Sequence, residues 1–149
     1  MKKFQFKLSH MRELKSRILD EEQGVLQQLK SEQAQLENRI STLQQEFGEL
    51  SNQMLQAQQK GTTALEIRGY SMQLDSIRMQ LDDLSKELQK AADRVEKQTQ
   101  VVIAANQEVS KLDKLEDKQY EAYRRQADKA EELRVEELVV QGISRKDAD

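Results

Sequence analysis

The chain has no cysteine, no proline and no tryptophan, and only 4% of its 149 residues are aromatic. Without cysteine there is no disulfide framework and no thiol chemistry. One histidine, His10, cannot build a zinc site with no thiolate to help it. Glycine is scarce, with five residues scattered singly, so no phosphate-cradling loop is present. No apolar stretch approaches the roughly 20 residues that span a bilayer. The opening Met1-Lys2-Lys3-Phe4-Gln5-Phe6-Lys7-Leu8 is basic but lacks the apolar core of a secretion signal. Net charge is −3, which argues against non-specific nucleic-acid binding. These absences exclude most catalytic classes. No enzyme activity, cofactor, metal or small-molecule substrate is expected, and the chain reads as soluble and cytoplasmic.

What remains is charge and rhythm. Charged residues make up 34% of the chain, and Gln, Glu, Leu, Lys and Ala dominate the rest. That composition is far from that of a compact globule and close to that of a coiled coil. High charge and few aromatics also suit disorder, but a disordered segment has no reason to hold a phase. Here the phase is held from Ile67 to Leu112. Steps of three and four residues in strict alternation land on Ile67, Tyr70, Leu74, Ile77, Leu81, Leu84, Leu88, Ala91, Val95, Gln98, Val102, Ala105, Val109 and Leu112, and only Gln98 is not apolar. A mean repeat of 3.5 keeps one narrow stripe on one side of a slightly underwound helix. Such a helix needs a partner to cover the stripe.

The preceding residues supply one. Their apolar series reads Leu8, Met11, Leu14, Ile18, Glu22, Val25, Leu29, Glu32, Leu36, Ile40, Leu43, Phe47, Leu50, Met54 and Ala57. Two consecutive steps of four, at Leu14–Ile18–Glu22 and Glu32–Leu36–Ile40, predict local unwinding of the supercoil. Between the helices, Gly61 suits a left-handed helix end, and Thr63-Ala64-Leu65-Glu66 reads as a capping box. A short link between two long amphipathic helices makes them antiparallel neighbours. The expected fold is all-α: a long antiparallel two-helix coiled coil, or helical hairpin, with a longer second helix. As a single coiled-coil hairpin over 1–149, it has helix one over about 5–59, a turn at 60–63, helix two over about 64–140 and a frayed tail at 141–149. The helices would be ~80 Å and ~115 Å long. Folding about Gly61 pairs residues whose numbers sum to about 122, leaving everything after Gln119 uncovered.

Two surfaces stand out. Residues 1–20 carry six basic side chains (Lys2, Lys3, Lys7, Arg12, Lys15, Arg17) against Glu13 and Asp20. Positive charge at a helix N-terminus opposes the macrodipole, so a docking patch for an acidic partner is one reading and solubility the other. Phe4, Phe6 and Leu8 alternate as an extended segment would. They either insert into a partner or close the hairpin's open end against Leu112 and Leu115. Tyr120, Tyr123, Arg124 and Arg125 add residue types favoured at interfaces. At the turn end, Leu65, Met72 and Met79 recur every seven residues on the side opposite the stripe, with Tyr70 beside them. They suggest a soft second docking surface.

The opening Met-Lys-Lys-Phe-x-Phe-x-Leu and the stretch Lys111-Leu112-Asp113-Lys114-Leu115-Glu116-Asp117-Lys118-Gln119-Tyr120-Glu121-Ala122-Tyr123-Arg124 resemble the FliJ family of flagellar type III export proteins, as do the length and the two-helix layout. The resemblance implies a stalk-like coiled coil whose open end, made by both termini, enters the pore of the hexameric export ATPase. Other surfaces would meet the membrane export-gate protein and export chaperones. On that reading the ATPase end comprises Lys2, Lys3, Phe4, Phe6, Lys7, Arg12, Tyr120, Tyr123, Arg124 and Arg125, and the hairpin tip comprises Leu65, Tyr70, Met72 and Met79. The protein would be monomeric alone, cytoplasmic and peripherally associated with the inner face of the cell membrane. The alternatives are a passive coiled-coil scaffold or homodimeric spacer, and the equivalent stalk of a virulence secretion system.

Overall fold

The computed structural model describes residues 2–148. It is an all-α helical hairpin of two elements, α1 (Ser9–Lys60) and α2 (Ala64–Ala148). The link is three residues, 61–63, and Gly61 has φ of +89°, the left-handed backbone that glycine adopts without steric cost. Lys60 stands in the last turn of α1, where its charge offsets the negative helix end. At the start of α2 the Glu66 amide donates to Thr63 Oγ1 at 3.2 Å, and the Ile67 amide to the Thr63 carbonyl. Only half of the expected capping box forms. The Glu66 carboxylate accepts from the Thr62 hydroxyl instead of reaching back to the Thr63 amide.

The chain divides into two compact units, one taking Asp20–Ile103 and the other the residues up to Leu19 and from Ala104 onward. In the first, α2 presents Ile67 to Val102 at the expected heptad positions, each buried or half-buried, with Leu74, Leu84 and Ala91 at 6% exposure. Opposite them α1 half-buries Glu22, Leu26, Leu29, Gln33, Leu36, Ile40, Leu43, Phe47, Leu50, Met54 and Ala57. Gln98 Nε2 donates to the Glu22 carbonyl at 3.0 Å, and the Arg78 guanidinium lies 5.3 Å from the Phe47 ring centre. The numbers of those partners add to 120 and 125, close to the expected register.

The α1 stripe departs from the sequence-based expectation. Val25 is 47% exposed and Glu32 is exposed, while Leu26 and Gln33 take their places. From Leu8 the half-buried positions include 8, 12, 15, 19, 22, 26, 29, 33 and 36, which alternate steps of four and three, and Ser9, Ser16 and the expected stripe residue Ile18 are half-buried beside them. The predicted double steps of four are therefore absent. α2 keeps a strict 3.5 repeat, and a partner that lost phase would turn its stripe away from it. The phase is held by admitting Arg12, Lys15 and Gln33, whose methylene stems cover apolar surface while their polar ends reach water.

In the second unit Leu8, Arg12, Lys15 and Leu19 are half-buried on α1, as are Ala105, Val109 and Glu116 on α2, with Leu112 at 9% exposure. Met11 and Leu14, expected in the stripe, are 48% and 56% exposed. Helix one starts at Ser9 and not near residue 5: residues 2–6 take no helical structure, Lys7 and Leu8 form a turn, and Phe6 is buried at 7% exposure. Helix two continues to Ala148, through most of the expected frayed tail; Asp149 lies outside the described residues. Nothing stops it: there is no proline, Gly142 does not take a positive φ, and Arg145 and Lys146 in the last turn suit the negative helix end.

Candidate docking surfaces

Residues 2–8 form a strap over α2 in the unit made by the chain ends. Phe4, Phe6 and Leu8 are buried or half-buried, whereas Lys3, Gln5 and Lys7 are exposed. This period of two is that of extended backbone. The Phe4 ring meets Tyr120 edge-on at 5.3 Å between centres and Tyr123 at 5.6 Å, and the two tyrosine rings stack at 6.5 Å. These spacings fall in the range where aromatic pairs attract beyond simple burial. The Tyr123 hydroxyl donates to the Lys2 carbonyl at 2.7 Å, fastening the start of the strap. At its other end the Ser9 amide donates to the Phe6 carbonyl at 3.2 Å and the Arg12 amide to the Leu8 carbonyl at 2.9 Å, so the strap turns directly into α1.

Of the two readings of Phe4 and Phe6, the structure adopts closure of the open end. Phe6 lies in the core of this unit and Phe4 is occupied by two tyrosines. The covered part of α2 thus extends to Tyr123, four residues past the expected limit at Gln119. Arg12 is also engaged within the chain. It pairs with Glu116 and lies 3.8 Å from Asp113, leaving it half-buried and committed to α2. The cations left exposed are Lys2, Lys3, Lys7, Arg124 and Arg125. Asp113 and Glu116 were not foreseen as part of this site. The fold-back register, which places Arg12 opposite residue 110 or so, was the signal that could have found them.

At the turn end, in the other unit, Leu65, Met72 and Met79 are 77%, 67% and 70% exposed. Tyr70 does not join them. It is half-buried at a stripe position, as its place in the 3.5 repeat requires. From Arg124 to Asp147 the residues of α2 are exposed apart from half-buried Ala127, and Leu133, Val135, Leu138, Val139, Val140 and Ile143 have no α1 residues left to cover them. His10 is exposed, and among the described residues no three acidic or histidine side chains gather as a metal site would require. Among the same residues, no helix is long and apolar enough to cross a membrane.

The family model of the flagellar FliJ protein matches residues 4–148, nearly the whole chain. This chain belongs to the FliJ family. Membership carries a role in flagellar protein export, in a family that is a non-catalytic component of that process. No curated protein and no solved structure matches the chain. The match begins at Phe4, the residue that opens the aromatic clasp, so the strap from Phe4 onward, α1 and α2 lie within the FliJ pattern.

Proposed function

We propose that this FliJ-family chain is a non-enzymatic stalk and coupling protein of the flagellar type III export apparatus. It docks on the hexameric export ATPase through the strap surface and links that ATPase to the membrane export-gate protein and to export chaperones. It works in the cytoplasm, peripherally at the inner face of the cell membrane. The observation that carries this reading is the clasp of Phe4 on Tyr120 and Tyr123, with Lys2 fastened to Tyr123. It brings two segments more than 110 residues apart onto one surface and surrounds them with exposed cations. A fixed basic patch steers an acidic partner and sets its orientation. Docking energy that is larger for the assembled ring than for free subunits shifts the ATPase towards assembly. Hydrolysis belongs to the partner. Leu65, Met72 and Met79 offer a second, apolar surface, suited to the export-gate protein.

The test is charge reversal of Lys2, Lys3, Lys7, Arg124 and Arg125 to Glu. Stimulation of ATP hydrolysis by the purified export ATPase should be lost, with helicity by circular dichroism unchanged. Undiminished stimulation would reject the assignment of this surface to the ATPase.

A further inference from the structure

Three polar residues, Glu22, Gln33 and Gln98, stand in the paired stripes of the Asp20–Ile103 unit, and Glu22 and Gln98 meet. Gln98 is the one non-apolar residue among the fourteen stripe positions of α2. Glu22 sits at a stripe position of α1. Both are half-buried, and the Gln98 amide donates to the Glu22 backbone carbonyl and to its carboxylate. The carbonyl bond matters because a carbonyl in mid-helix already accepts from its own helix, and here it takes a second donor from across the stripe. Apolar side chains at the other positions are nearly interchangeable. Leu36, Leu43, Leu50, Leu74, Leu81 and Leu88 recur at heptad spacing, so a slip of seven residues sets leucine against similar partners.

We propose that the Glu22–Gln98 pair is a register lock, which selects one alignment of α1 on α2 against alignments one heptad away. A slip of seven in one direction moves Glu22 from Gln98 to Ala91 and Gln98 to Lys15; a slip in the other moves Glu22 to Ala105 and Gln98 to Leu29. In either case the bonds from the Gln98 amide to the Glu22 carbonyl and carboxylate are broken while both residues stay in the stripe. A single polar position is known to set register in coiled coils at some cost in stability. In this protein the device is split between two residues and two helices of one chain. The inference concerns the alignment of the hairpin and is independent of which partner the protein binds.

The absence of native cysteine makes the test direct. In this register Leu36 lies across from Leu88, whereas Leu81 and Val95 lie one heptad to either side. Cysteine pairs 36/88, 36/81 and 36/95 are introduced into the full chain and oxidised at low protein concentration. With Glu22 and Gln98 intact, only 36/88 should form an intramolecular disulfide. In the Glu22→Leu/Gln98→Leu background, 36/81 or 36/95 should link with a yield within a few-fold of 36/88. The milder Glu22→Ala/Gln98→Ala background should behave likewise, and serves if the leucine pair aggregates. The single variant Glu22→Gln, which keeps the Gln98 amide opposite both the residue 22 carbonyl and a side-chain oxygen, should retain exclusive 36/88 linkage. Exclusive 36/88 linkage in both apolar backgrounds would overturn the proposal.

Discussion

Replacing Phe4 with Ala isolates what holds the strap. The ring makes two aromatic contacts, at 5.3 and 5.6 Å. Each such pair is worth about 0.5–1.5 kcal/mol, and the half-buried ring adds about 1 kcal/mol of lost burial. The substitution should therefore weaken strap docking by about 2–4 kcal/mol, a factor of roughly 30 to 700 in the docked-to-undocked ratio. The Tyr123 hydrogen bond to Lys2 forms only while the strap is docked, so it adds no independent resistance. Phe6 belongs to the same strap, so the strap and its junction with α1 are expected to loosen together, while the helices stay paired through their own stripes. Amide hydrogen exchange reads this locally. Protection of the Ser9 amide, which donates to Phe6, should fall by more than tenfold, and the Tyr120 and Tyr123 ring resonances should move towards free-tyrosine positions. Amides around Leu84, in the other unit, should keep their protection. Ser9 protection within threefold of the parent, with unchanged tyrosine resonances, would refute the clasp as the element that secures the strap.

Leu84→Ala removes a side chain with 6% exposure and should lower the unfolding free energy by about 2–5 kcal/mol, whereas Met72→Ala, at a site 67% exposed, should stay within about 0.5 kcal/mol in the same denaturant titration. Gly61→Ala forces a side chain into a φ of +89° and should cost about 1–2 kcal/mol, seen as a lower thermal midpoint with unchanged helicity. Arg12→Met breaks a partly exposed pair with Glu116; the loss should be about 0–1 kcal/mol and should shrink as salt is raised, measured by thermal melts at two ionic strengths.

Much of this molecule was legible in one dimension. Every α2 position from Ile67 to Leu112 that the 3.5 repeat selects is buried or half-buried, Gln98 included. Gly61 and Thr63 marked the link, because a left-handed residue and a capping hydroxyl are local requirements that neighbours cannot override. The α1 stripe was harder to read. Choosing the apolar residue at each step gave Met11, Leu14 and Val25, and the structure leaves all three exposed. A helix with more apolar residues than stripe positions has several candidate faces, and its own sequence does not rank them.

The local periodicity of each helix was thus enough to establish two amphipathic helices, the turn between them and the approximate pairing, since period and capping are properties of short stretches of chain. Which face of α1 is covered, whether Phe4 and Phe6 point inward, and that Arg12 belongs to Glu116 while Gln98 belongs to Glu22 were settled by the partner helix. Those choices depend on what stands opposite each side chain, and residues a hundred positions apart become neighbours only after the chain has folded back.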